Sequence, residues 1–273
     1  MELINFLLEP FTFAFMQRGL LAGVIVGVLC AVMGTYVVLR GMAFLGDALA
    51  HAIMPGVAIS YLFGANLFLG AIIAAVLVAL GIGVISRNGT IKEDTAIGIL
   101  FASALSLGIA LISSVKSYAV DLSHIMFGNI LGVSQTDLLL TVLFALIILA
   151  IVIVLFRPLL VLSFDPILAQ TMKLPVNALN NLLLVLLAVS VVISLQTVGI
   201  GLAAAMLVTP AGTAYLLTRR LKSMMLVSAA IGAFSAIVGL FISYYLNIVS
   251  GSAIVLTATF IFFCVYIFKK GQR

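Results

Sequence analysis

Charge is what this chain has least of. Charged residues fill 8% of its 273 positions while 65% are apolar, and the mean hydropathy is +1.41. Soluble domains carry about 25% charged residues, and they alternate polar with apolar faces. Here apolar runs of about 20 residues recur between short polar breaks, which is the pattern a bilayer demands. Catalytic motifs are missing too. The chain has no Gly-x-x-x-x-Gly-Lys-Ser/Thr phosphate loop, no His-Glu-x-x-His zinc helix and no Gly-x-Ser-x-Gly nucleophile elbow. Those absences argue against an ATP site and against catalysis within the chain. Cysteine is reduced to Cys30 and Cys264, each inside an apolar run near opposite ends, which reads as inert packing rather than a disulfide. The start, Met1-Glu2-Leu3-Ile4-Asn5, lacks the basic leader of a cleaved signal peptide.

What is present divides into about nine apolar spans, at roughly 17–39, 42–63, 67–86, 94–115, 136–157, 177–197, 200–218, 224–247 and 252–268. The expected fold is therefore all-α, a polytopic transmembrane helical bundle forming a single domain over 1–273. Residues 3–16 are too interrupted to span and are expected at the interface. The break at Gln196-Thr197-Val198-Gly199-Ile200-Gly201 is weak, so eight to ten spans are possible. Basic residues orient the layout. All of the 13 except Arg18 and Lys116 fall on one side, which the positive-inside rule makes cytoplasmic. The N-terminus is then outside and the C-terminus cytoplasmic, and the net charge of +5 describes a cytoplasmic fringe rather than a nucleic-acid surface.

The same layout sorts the acids. Glu2, Glu9, Glu93, Asp94, Asp121, Asp137 and Asp165 fall in breaks or at span ends, and Asp47 alone lies within a span. Four residues later comes His51, in Gly46-Asp47-Ala48-Leu49-Ala50-His51-Ala52-Ile53-Met54-Pro55-Gly56. Residues i and i+4 share one helix face, so an oxygen and a nitrogen donor converge on one point, as suits divalent manganese, iron or zinc. The alternative is an Asp–His pair bonded to itself for packing. An ionisable group at membrane depth costs about 2.5–3.5 kcal/mol on insertion scales, which favours a transport role. Counting about 1.5 Å per residue from Arg40 puts Asp47 about 10 Å and His51 about 16 Å in, near the midplane where transporters hold substrates. Pro55 and Gly56 weaken the helix one turn later.

Three further features stand out. Asp121 and His124 form a second pair on the predicted outer side, a candidate outer metal site or simply two exposed polar residues, with Asn129 nearby as a cap or turn. Gly19, Gly23 and Gly27 recur every fourth residue as a small-residue packing face. In the segment 158–176, Pro158, Pro166 and Pro175 bracket a short cytoplasmic helix: Asp165 then Pro166 is an N-cap and first-turn signal, and Pro175 is expected to set the stop. Its apolar residues suit either docking onto another protein or lying on headgroups.

Taken in order, the stretches Phe15-Met16-Gln17-Arg18-Gly19-Leu20, Gly46-Asp47-Ala48-Leu49-Ala50-His51-Ala52, Glu93-Asp94-Thr95-Ala96-Ile97-Gly98, Asp121-Leu122-Ser123-His124 through Phe127-Gly128-Asn129-Ile130-Leu131-Gly132, and Leu162-Ser163-Phe164-Asp165-Pro166 resemble the membrane permease subunit of the ABC importers for manganese, zinc and iron. The likeness runs through nearly the whole chain. It departs at Ala50, where many relatives carry serine, and that leaves both proposed ligands in place. The resemblance implies a permease dimer with the path between its subunits, two cytoplasmic ABC ATPase subunits, an extracytoplasmic metal-binding protein, and a bacterial cell membrane location. It also implies that Asp47 and His51 line the path, with the metal as substrate and no resident cofactor. The segment with Asp165, Pro166, Ile167, Leu168, Met172 and Leu174 becomes the coupling helix, and Asp94 a cap at the start of the fourth span. The rival function is a self-sufficient secondary carrier or channel for divalent cations, which leaves the proline-bracketed helix unexplained. The donor set accepts manganese, iron or zinc, with a lean to manganese because no thiolate is nearby.

Overall fold

The computed structural model describes residues 9–87, 89–113 and 130–270. Among them are nine helices, or helix pairs, long and apolar enough to cross a membrane, and no strand. A 3-10 turn, Glu9–Thr12, leads into α1 (Ala14–Leu39), which begins three residues before the expected span. The others follow as α2 (Leu45–Ala52) with α3 (Met54–Leu62), α4 (Leu67–Ser86), α5 (Glu93–Ser113), α6 (Gln135–Val154), α9 (Val176–Val198), α10 (Ile200–Leu217), α11 (Leu221–Leu246) and α12 (Ser250–Lys270). Two short helices, α7 (Phe156–Phe164) and α8 (Pro166–Thr171), lie between α6 and α9. The doubtful break between the sixth and seventh spans is real but only one residue long. Gly199 adopts φ +88°, open to glycine and strained for other residues, and it separates α9 from α10.

The chain forms two compact units, one of Met1–Thr35, Phe127–Leu146 and Ser194–Arg273, the other of Tyr36–Met126 and Ile147–Ile193. In the first, small residues bring backbones together. A Cβ on Gly27 would stand 2.9 Å from the Gly232 carbonyl of α11, and one on Gly34 would overlap the Leu207 backbone of α10. Ser228 donates to the Ala31 carbonyl at 2.8 Å, and the Cys30 thiol lies 3.1 Å from the Ser194 hydroxyl. The small-residue face of α1 thus serves packing within one chain, and both cysteines are free.

In the second unit, α1 ends in a Schellman turn: the Met42 N–H donates to the Val37 carbonyl at 3.0 Å and the Gly41 N–H to Val38 at 3.2 Å, with Gly41 at φ +69°. Arg40 is the cap of α1, and Met42 is buried beneath the turn. The second span then breaks at Ile53 between α2 and α3. Pro55 opens α3, and because it has no N–H the His51 carbonyl loses its regular α-helical partner. The Ile53 N–H is directed at that carbonyl instead. Two glycines seat the broken span, since a Cβ on Gly56 would collide with Gly70 of α4, and one on Gly108 of α5 would come within 2.6 Å of the Met54 Cβ.

Candidate functional site

Asp47 occupies the first turn of α2 and His51 its last. The helix does not run on from Arg40, because residues 40–44 form a turn and it starts at Leu45. From that end, Asp47 lies about 3 Å and His51 about 9 Å along the axis of the broken span Leu45–Leu62. The Asp47 Oδ1 stands 3.8 Å from His51 Nε2, beyond hydrogen-bond distance. Neither side chain hydrogen-bonds to any other described residue. Their exposures are 44% for Asp47 and 25% for His51, so both present donor atoms outward. The His51 ring lies 6.0 Å, centroid to centroid, from Phe101 of α5, which also meets Phe44 edge-on at 5.7 Å. Phe101 thus flanks the imidazole. The packing alternative, in which the two polar groups satisfy each other, does not match this geometry.

Two donors do not complete a metal site, and no cluster of three or more His, Cys, Asp or Glu occurs among the described residues. Asp121 and His124, with Asn129, lie outside the described residues. Asp94 sits in the first turn of α5, where the helix dipole favours a carboxylate.

The neighbouring Glu93 does more than sequence reasoning assigned it. Its Oε1 accepts from Arg40 at 2.8 Å and from the Asn180 amide of α9 at 3.0 Å, while Arg40 also donates to the Asn180 Oδ1 at 2.5 Å. Three helix ends are tied by a closed triangle. Burial pulls the Arg40 guanidinium below its usual pKa, and the Glu93 carboxylate pushes it back up. Arg40 and Glu93 shared a membrane side in the sequence layout, but nothing local marked Asn180.

The segment expected to couple is also built as a distinct element. The Asp165 carboxylate caps α8, accepting from the Ile167 and Leu168 N–H groups at 2.9 and 3.0 Å, with Pro166 as the first helical residue. The helix stops at Thr171, earlier than expected. Lys173 takes the left-handed conformation at φ +56°, so the turn at Lys173, rather than Pro175, ends it. Pro175 instead flanks the start of α9, its carbonyl accepting from Leu179 at 2.9 Å. Ile167, Leu168 and Met172 are exposed, whereas Leu174 is half-buried and bonds through its N–H to the Ala169 carbonyl at 3.1 Å. A cavity of about 700 Å³ is lined by Pro166 and Gln170 of α8 together with Arg40, Glu93 and Asn180.

A polytopic helical bundle with an Asp–His pair inside a broken span, and a short capped helix set between spans, defines a membrane permease. Residues 12–269 match the ABC 3 transport family, and the chain belongs to that family. It is similar to the manganese transport system membrane protein MntC of Halalkalibacterium halodurans, 47% identical over 96% of this chain and 89% of that protein. The manganese import system permease protein ScaB of Streptococcus gordonii is 45% identical, over 96% of this chain and 94% of that one. Among solved structures, PsaBC from Streptococcus pneumoniae in complex with Fab contains a chain that aligns at a TM-score of 0.83 and 44% identity, covering 97% of this chain and 95% of its own. The chain is accordingly a multi-pass cell-membrane protein, and in its family ATP hydrolysis is the work of a separate subunit.

Proposed function

We propose that the chain carries divalent manganese across the bacterial cell membrane as the permease subunit of an ATP-driven importer, with Asp47 and His51 as ligands on the path. The observation that carries this reading is the pair itself, two donors 3.8 Å apart on one helix face with no other hydrogen-bond partner among the described residues. Manganese is favoured by the oxygen and nitrogen donors without a thiolate, and by the manganese systems after which the relatives are named. Two donors per chain fit a path shared by two copies of the permease, which doubles the set to four. Orientation follows the basic residues, with the C-terminus cytoplasmic. A binding protein delivers the ion to the outer mouth, and ATP binding to the partner subunits shifts the permeases between closed and outward-open states. The pair then replaces water ligands as the ion passes. Imidazole ligates only when neutral, so protons compete with the ion. The exposed Ile167, Leu168 and Met172 seat α8 on the ATPase, with Leu174 anchoring the element from behind.

Manganese accumulation in cells expressing Asp47→Ala or His51→Ala tests the site. Uptake falls to background while membrane insertion and assembly persist, and uptake retained in both variants rejects the assignment. Docking is tested separately by co-purification with the ATPase, which Leu168→Asp abolishes.

A further inference from the structure

Resting on that reading, we infer that Arg40, Glu93 and Asn180 are positioning residues that couple the ATPase-docking helix to the metal-ligating helix. Each belongs to one link of a continuous mechanical path within a single compact unit. Asn180 lies in the second turn of α9, which four residues separate from α8, and the connection is short and bonded: Leu174 to Ala169 at 3.1 Å, Val176 to Leu174 at 2.8 Å. A displacement of α8 therefore reaches Asn180 with little slack.

Arg40 carries the displacement to the ligands. It caps α1 through the Schellman turn, and that turn leads directly into α2, so Asp47 follows Arg40 by seven residues, most of them held by turn or helix bonds. Glu93 supplies a parallel route. It begins α5, the helix whose Phe101 flanks His51 and whose Gly108 rests against the Met54–Pro55 break. Both routes converge on the stretch from Asp47 to Pro55.

The chemistry of the triangle suits a joint better than a rivet. A guanidinium side chain only 10% exposed, bonded to one carboxylate and one amide, has a strong directional hold on two partners at once. Its second terminal nitrogen, Nη1, is buried without a hydrogen-bond partner among the described residues. A fully satisfied network would favour one arrangement. This one leaves a donor free to take a partner in a second arrangement, while the cavity shared with Pro166 and Gln170 gives α8 room to move.

The test uses the assembled permease–ATPase complex reconstituted in liposomes with the binding protein and manganese. Asn180→Ala, Glu93→Gln and Arg40→Lys are compared with the parent for manganese transported per ATP hydrolysed, and for manganese bound at equilibrium. The expected result is a fall of about ten-fold in the transport-to-hydrolysis ratio for Asn180→Ala and Glu93→Gln, with ATP hydrolysis and manganese binding within about two-fold of the parent, each ten-fold step corresponding to 1.4 kcal/mol of lost coupling. Arg40→Lys keeps the charge but not the fork, and retains an intermediate ratio. An unchanged ratio in assembled Asn180→Ala and Glu93→Gln complexes overturns the inference, as does a loss confined to complex yield, which marks a merely structural triangle. If the parent complex itself shows no ATP-dependent uptake, the importer reading fails first, and the two failures are told apart.

Discussion

The two compact units solve the problem of polarity in lipid differently. In the unit built on Met1–Thr35, Phe127–Leu146 and Ser194–Arg273, the buried polar side chains are Ser and Thr, and among the described residues all buried polar ones except Ser60 and Ser190 belong to it. Several bond to their own helix, as Thr213 does to Thr209 and Thr257 to Ala253, both at 2.8 Å. A hydroxyl satisfied by its own backbone places no demand on a partner, so helices there are free to pack by shape, glycine against backbone. The second unit holds the Arg40–Glu93 ion pair and the Asp47–His51 pair. Ionisable groups at membrane depth are costly and rare, and they pair with one another or face a water-filled path. Charged side chains and hydroxyl-lined packing thus fall in different units.

That division can be broken most forcefully from the packing side. Gly34→Val places a side chain into the Leu207 backbone, which cannot yield as a side chain would; overpacking costs about 1–3 kcal/mol or more, and we expect no recoverable folded protein by size-exclusion chromatography. A normal yield would dissolve the contrast. Asp47→Asn is expected to do the opposite: thermal unfolding of the purified permease stays unchanged while manganese uptake drops to background. Pro55→Ala restores an N–H able to bond the His51 carbonyl; slower hydrogen exchange across 53–56 and a several-fold fall in uptake are expected, and unchanged exchange would remove the broken span from the account. The smallest effect belongs to Ser228→Ala, which loses the bond to Ala31; such interhelical bonds average about 0.6 kcal/mol, and uptake per folded molecule should be unaffected.

The spans were legible because a bilayer reads hydropathy almost directly, and the Asp47–His51 spacing because helix geometry fixes i and i+4 wherever the helix is intact. The local path of the chain from Arg40 to the pair was less legible. Counting from Arg40 treats residues 40–44 as helix, and only the positive φ of Gly41 reveals the turn. Likewise the proline-bracketed helix was visible from Asp165 and Pro166, but its end at Lys173 was not, since lysine carries no preference for a left-handed φ. The Arg40–Glu93–Asn180 triangle joins residues 53, 87 and 140 positions apart, and no local pattern encodes that proximity.

By itself the sequence determined that this chain lives in lipid, how its helices are divided along it, and which carboxylate and imidazole stand out at depth, because the costs of burying charge and unpaired backbone act residue by residue. Tertiary structure alone decided that the pair stays unbonded at 3.8 Å beside Phe101, and that Arg40, Glu93 and Asn180 meet. Those outcomes depend on how separate helices approach one another, and small residues at Gly56, Gly70 and Gly108 set that approach across stretches of chain that no local rule connects.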